Sequence, residues 1–266
     1  MSDLTLAIIQ SDIHWEKVDA NLAMFEEKIW ELEESVDLIL LPETFNAGFS
    51  SNLKLIAEVP GLKTQKWMLQ MARQKKAMIG GSYLVNEGGK LYNRFLLAKP
   101  DGSIESNDKR HLFNLSEIEI KLTPSSNRNI VEFKGWKICP MICYDLRFPA
   151  WSRNHVKSSD DQPEYDLLIY VANWPKPRID AWDALLKARA IENQSYVAGV
   201  NRVGIDGSGH EYTGHSSVYS YEGKELSFLN KEEGFIIQNL SKSALDEFRK
   251  KLPFLKDADS LTFNPQ

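Results

Sequence analysis

The segment Trp136–Trp151, WKICPMICYDLRFPAW, decides how the rest of this chain is read. Trp136–Ile142 is a short, mostly apolar run, too brief for a helix and suited to a strand buried on both faces. Polarity then changes abruptly: Cys143 stands where the run stops, Tyr144, Asp145 and Arg147 follow, and Pro149 opens a helical segment expected over Ala150–His155. A thiol on a strand-to-helix turn is lifted out of the sheet, and the backbone N–H groups after it can face a developing oxyanion. No G-x-S-x-G occurs, and free cysteine is among the most buried residue types, so one thiol at a turn does not establish catalysis. Cys139, inside the run, reads as a core thiol. Pro140 removes a ladder donor from the same run and predicts a bulge or an irregular strand end.

With 266 residues the chain is long enough to bury about three quarters of its unfolded surface. Hydrophobic content of 42% and charged content of 26% are those of an ordinary globular protein. A net charge of −5, with no basic stripe and no interleaved aromatics, argues against a nucleic-acid partner. No segment approaches the ~20 apolar residues of a membrane span. Two cysteines and an N-terminus without a basic leader predict a reducing, cytoplasmic setting. Nothing predicts a metal or organic cofactor: there is no H-E-x-x-H, no paired C-x-x-C and no glycine-rich phosphate loop.

Outward from the central segment, apolar spacing predicts strands at Leu4–Gln10, Val36–Leu41, Ala77–Val85, Leu91–Ala98, Asp166–Ala172, Tyr196–Val200, Ser216–Tyr221 and Gly234–Asn239. Helices are expected over Val18–Glu33, Thr64–Lys75, Ile179–Asn193 and Ser241–Lys251, the last with a serine N-cap. Lys134-Gly135 turns Ile130–Phe133 into the central strand as a hairpin, whereas the stretch from Asp108 to Asn127 reads as irregular. Strands and helices alternate and hairpins interrupt them, so the fold class is α/β with mixed sheets, in a single domain spanning 1–266. VDLILLPE and YDLLIYVANW share a strand-then-polar rhythm, as if two halves of a sheet were built alike.

Open α/β sheets place ligands beyond the carboxyl ends of their strands. Three buried strands end in polar groups there: Glu43, Cys143 and Asn173. A thiol nucleophile needs a base, yet His14, His111, His155, His210 and His215 are scattered without a catalytic-cysteine pattern. Glu43 can serve as that base if burial and neighbours raise its pKa; otherwise it is a solvated loop carboxylate. Lys109 offers a fixed positive charge for thiolate and oxyanion, or is a surface lysine. Asp145 and Arg147 read as a structural pair bracing the turn, Arg189 and Glu192 as a local helix salt bridge, and Asn173 with Trp174 as pocket lining.

LPETF with Glu43, DKRHLF with Lys109 and CYDLRFP with Cys143, in that order, resemble the Glu-Lys-Cys triad of the nitrilase superfamily of carbon–nitrogen hydrolases. VANWP (171–175), LLKARAIENQSYVAGVNRVGIDG (185–207) and Tyr212–Ser216 resemble its amidase branch, above all bacterial omega-amidases that deaminate 2-oxoglutaramate. The resemblance implies a four-layer α-β-β-α sandwich, a homodimer exchanging C-terminal tails from about residue 252, and a cofactor-free cysteine amidase acting on a small amide through a thioester. The alternatives are another hydrolase of the superfamily, acting on a nitrile, an N-carbamoyl compound or another small amide, or a noncatalytic interaction scaffold on the same fold. It assigns catalysis to Glu43, Lys109 and Cys143 and an oxyanion contact to the Tyr144 backbone. Family members carry a second glutamate between the lysine and the cysteine; ungapped counting puts that position at Ile118, so Glu117 and Glu119 are its candidates here. A dicarboxylate-like substrate needs a cation opposite Cys143, for which Arg178 is the first candidate and Lys176 the second. Leu252, Phe254, Leu255, Leu261 and Phe263 are the apolar residues expected to bury the tail on a partner.

Overall fold

The computed structural model describes residues 3–33, 35–113, 121–157 and 162–259. In chain order the strands of the first half are β1 (Leu4–Gln10), β2 (Leu38–Leu40), β3 (Met78–Glu87), β4 (Lys90–Ala98), β5 (Ile104–Asp108), β6 (Val131–Phe133) and β7 (Trp136–Ile142). Those of the second half are β8 (Val156–Lys157), β9 (Gln162–Pro163), β10 (Leu167–Val171), β11 (Tyr196–Val200), β12 (Val203–Ile205), β13 (Glu211–Thr213), β14 (Ser217–Tyr219), β15 (Glu225–Phe228) and β16 (Gly234–Leu240). The helices are α1 (Val18–Trp30), α2 (Leu53–Ile56), α3 (Lys63–Lys75), α4 (Pro149–Ser152), α5 (Ile179–Asn193) and α6 (Lys242–Lys251).

Two six-stranded sheets form, ordered β16-β1-β2-β3-β4-β5 and β15-β14-β11-β10-β7-β6. In each, three parallel strands (β1-β2-β3 and β7-β10-β11) are flanked by antiparallel ones. Side-chain alternation explains the layering. On β1, Leu4, Leu6 and Ile8 enter an inter-sheet core with Leu167, Ile169 and Val171 of β10. Ala7 and Ile9 face the other way, against Phe25 and Ile29 of α1. The second sheet repeats the scheme, with Cys139, Met141, Leu168 and Tyr170 packed on Trp182 and Leu186 of α5. Helices therefore cover both outer faces, giving a four-layer α-β-β-α sandwich. The two similar strand-then-polar stretches turn out to be central parallel strands of separate sheets rather than halves of one. Gly199 on β11 is fixed by this packing, because a Cβ there would stand 2.4 Å from Leu186 Cδ1 and 2.9 Å from Trp182 Cζ2.

Four local expectations are corrected. Pro140 sits in an unbroken strand, paired in register with Ile169. Beyond Ile138, β7 has no β6 residue opposite it, and the Pro140 carbonyl points to that open side, where Asn107 Nδ2 donates to it at 2.7 Å. Its nitrogen faces the same side as its carbonyl, so the ladder with β10 loses no donor. The helix after Pro149 ends at Ser152 instead of His155, because Arg153 turns out of the helical region (φ −58°, ψ 127°) and the buried Asn154 after it is pinned elsewhere: its N–H donates to Asn193 Oδ1 and its Nδ2 to Tyr165 O, both at 2.9 Å. Ile104–Asp108 is a strand, β5, where the sequence reading had none. Ser241 occupies the N-cap position of α6, but its hydroxyl meets Ser243 Oγ at 3.2 Å and makes no cap hydrogen bond.

Candidate active site

Four strand ends converge. Glu43 lies three residues beyond β2, Lys109 directly after β5, Cys143 directly after β7 and Asn173 two residues beyond β10. Because β2 and β7 are central parallel strands of facing sheets, their carboxyl ends open onto one cavity of about 350 Å³, lined by all four of these residues. Glu43 and Lys109 are almost wholly buried, 1% and 2% exposed, and pair at 3.0 Å between Oε1 and Nζ. A solvated loop carboxylate and a surface lysine are thereby both ruled out.

The Glu43 carboxylate is held from several sides. Asn93 Nδ2 donates to Oε1 at 2.8 Å, and the Asn173 backbone N–H donates to Oε2 at 2.8 Å. Asn173 Nδ2 donates in turn to the Glu43 carbonyl (3.0 Å) and Thr44 Oγ1 (2.9 Å). Thr44 N–H donates to Ser82 Oγ at 3.0 Å, which ties the loop to β3. The residue that follows the LILLP run is thus a fixed acceptor; the sequence placed it at the strand end but gave no sign of Asn93 as a partner.

Cys143 begins a 3₁₀ turn, Cys143–Arg147, and adopts φ +45°. A non-glycine residue in that left-handed region carries about 1–3 kcal/mol of strain, the usual signature of a turn imposed by its surroundings. Asp145 supplies part of the constraint: Oδ2 accepts the Ile142 N–H at 3.2 Å. It does not pair with Arg147. Oδ1 accepts from both the backbone N–H and the Nδ1 of His111, at 2.9 and 2.8 Å. Arg147 instead lays its guanidinium over the Trp174 ring, 4.9 Å from the centroid. The Arg189–Glu192 salt bridge forms at 2.9 Å, and buried Arg189 also donates from Nη2 to the Leu146 carbonyl, bracing the turn from α5.

Arg178 lines the cavity, with its guanidinium 5.4 Å from the centroid of Phe113. Trp174 Nε1 donates to the Arg178 carbonyl at 2.7 Å, fixing that turn. Lys176 is not a lining residue; its ammonium pairs with Glu211 at 2.8 Å. The β12–β13 hairpin, next to the Arg178 turn, adds Asp206, Ser208, His210 and Tyr212 to the lining, none of which the sequence reading singled out as a site residue. Buried Asp206 organises it, accepting the Ser208 and His210 N–H groups at 2.9 and 3.0 Å and the Tyr212 hydroxyl at 2.8 Å. Burial, then the Asp206 carboxylate, push the Tyr212 hydroxyl well above its ordinary pKa, so it stays a donor. Glu117 and Glu119 lie outside the described residues. Among the described residues no cluster of metal-ligating side chains occurs.

A buried carboxylate, a buried ammonium and a thiol in one partly enclosed cavity suit nucleophilic attack on a polarised carbonyl followed by proton transfer. Comparisons with known proteins agree with that chemistry. The carbon-nitrogen hydrolase family model matches residues 5–250. Omega-amidase YafV of Escherichia coli (strain K12) is 41% identical over 260 residues, covering 97% of this chain and 98% of its own. The 2-oxoglutaramate amidase of Bacillus subtilis (strain 168) is 32% identical over 256 residues, covering 95% and 96%. The crystal structure of XC1258 from Xanthomonas campestris, a CN-hydrolase superfamily protein with an arsenic adduct in its active site, superposes with a TM-score of 0.96 at 37% identity over 99% of this chain and 100% of that one.

Proposed function

The chain belongs to the carbon-nitrogen hydrolase family, whose reaction is hydrolysis of carbon–nitrogen bonds other than peptide bonds, and from that premise we propose that it is an omega-amidase. Its substrate is a small omega-amide of the 2-oxoglutaramate or 2-oxosuccinamate type, hydrolysed to the acid and ammonia. The observation that carries this reading is the meeting of Glu43, Lys109 and Cys143 in one cavity whose wall also holds Arg178. Among the described residues no carboxylate pairs with the Arg178 guanidinium. A planar fork of donors on the cavity wall suits a substrate carboxylate.

In this reading Glu43 takes the Cys143 thiol proton and the sulfur attacks the amide carbonyl carbon. The carbonyl π pair moves onto oxygen, where Lys109 Nζ and the Tyr144 N–H stabilise the charge. Collapse of the tetrahedral adduct breaks the C–N bond; Glu43 returns its proton to the departing nitrogen, and ammonia leaves a thioester on Cys143. Glu43 then deprotonates a water that attacks the thioester, and the second collapse expels the thiolate, which recovers the proton. Asn173 and Trp174 contribute by holding the Glu43 loop and the Arg178 turn. No step calls for a metal or an organic cofactor.

We further read the protein as a single domain that forms a homodimer and works in the cytoplasm, where Cys139 and Cys143 stay reduced. Phe254 is 59% exposed, which fits a surface completed by a second copy, whereas Leu255 is buried on its own chain. Leu261 and Phe263 lie outside the described residues.

Arg178→Ala tests the substrate assignment. Losing one charged contact to a bound carboxylate removes about 2–5 kcal/mol, so kcat/KM for 2-oxoglutaramate should fall severely while that for an uncharged short-chain amide changes much less. Equal losses on both substrates would mean that Arg178 supports the loop and does not read the carboxylate.

A further inference from the structure

The mechanism leaves unused an imidazole held by a buried acid beside the site. Asp145, whose side chain is 2% exposed, touches two pieces of the site at once. Its Oδ2 takes the N–H of Ile142, the residue before the strained Cys143; its Oδ1 takes the backbone N–H and Nδ1 of His111, two residues beyond Lys109. A carboxylate only accepts, so Nδ1 carries the proton in this contact. The imidazole plane is fixed as well, stacked on Phe148 with centroids 3.7 Å apart and planes 6° from parallel. Lys109 ends a strand of the first sheet and Cys143 a strand of the second, so their spacing is an inter-sheet distance.

We propose that His111 is a positioning residue: its Nδ1–H, through Asp145, sets the Cys143 turn against the Lys109 strand end. Attack on a carbonyl needs the sulfur and the two oxyanion donors in register, and about 1 Å of misplacement can cost 10²-fold in rate. The ring stack and the His111 backbone N–H, which shares Asp145 Oδ1, hold the two segments together whatever the side chain donates; the Nδ1–H adds a second bond to that oxygen and fixes how the carboxylate is turned. That distinction separates positioning from mere packing.

The inference rests on Cys143 as nucleophile, and its test can fail independently of that reading. His111→Phe keeps an aromatic ring for Phe148 and deletes the donor. His111→Asn loses the stack but places an amide N–H near the position of Nδ1, whereas His111→Gln displaces that N–H by a methylene. Rates are measured on 2-oxoglutaramate and propionamide, using whichever the wild-type protein turns over faster, per reactive Cys143 thiol. His111→Phe should lower kcat about 10- to 100-fold with KM changed less than about twofold, and His111→Asn should keep kcat within about threefold of wild type. His111→Gln should resemble Phe, and it replaces Phe should that variant fail to fold. Unchanged kcat in Phe and Gln, loss in Asn equal to theirs, or a loss seated in KM overturns the proposal. Activity retained by Cys143→Ala would instead sink the nucleophile assignment, and no turnover of either amide by wild type would sink both.

Discussion

Cys143 and Cys139 stand four positions apart in one strand and turn, yet their surroundings differ sharply. Cys139 is fully buried under α5, and burial pushes its thiol up to about 12. Cys143 is half-buried at φ +45° on the cavity wall. A neutral alkylating reagent near pH 8 should therefore modify one thiol per folded chain, at Cys143. Cys143→Ala should abolish hydrolysis with little change in melting temperature, while Cys139→Ala should lower stability by about 1 kcal/mol and leave turnover intact. The reverse pattern would mean that the turn has been misassigned. Glu43→Gln should also end turnover, since an amide cannot take the thiol proton, and substantial remaining activity would point to another base. The motif LPETF was enough to place Glu43 beyond a strand. What fixes its carboxylate was not legible, because Asn93 and Asn173 come from 50 and 130 residues away and only the closed fold brings them together.

Elements with a strong period were legible and a weak one was not. Leu4–Gln10, Trp136–Ile142, Ile179–Asn193 and Tyr196–Val200 have the bounds that apolar spacing gives them. IESND at β5 carries one aliphatic residue, and Ile104 is 40% exposed, so nothing in its pattern marks a strand. Pairing with β4 makes it one, and that pairing delivers Lys109 to the site. The same strand carries Asn107, 5% exposed, whose Nδ2 joins the first sheet to the Pro140 carbonyl of the second. Asn107→Ala would leave that buried carbonyl without its donor, at a cost of about 1–3 kcal/mol. Calorimetry should show the loss, and activity should fall too, because Lys109 and Cys143 follow these two strands. An unchanged melting temperature would show that the two sheets do not need this bond.

For the molecule as a whole, one stabilising cluster lies away from the cavity. Asp166, at the start of β10 and far along the strand from the cavity end, accepts Lys242 Nζ at 2.6 Å and Arg249 Nη1 at 2.8 Å, clamping α6 onto the second sheet. Removing one partner from a buried charge cluster destabilises by about 3–5 kcal/mol, so Asp166→Ala should melt roughly 10 °C lower with kcat unchanged below its transition. A matching loss of kcat would mean that the two ends of the sheet are coupled. Light scattering at micromolar concentration should report a dimer, and a monomer would remove the tail-exchange reading. The central claim is covalent catalysis by Cys143, and mass spectrometry, on the intact protein and on its peptic digest, of enzyme rapidly quenched in acid during turnover of 2-oxoglutaramate tests it most directly. The account predicts an acyl adduct with the mass of the substrate less ammonia, on the peptide containing Cys143, lost on treatment with hydroxylamine and absent from Cys143→Ala. An adduct on any other residue, or one that persists in Cys143→Ala alongside turnover, would contradict it.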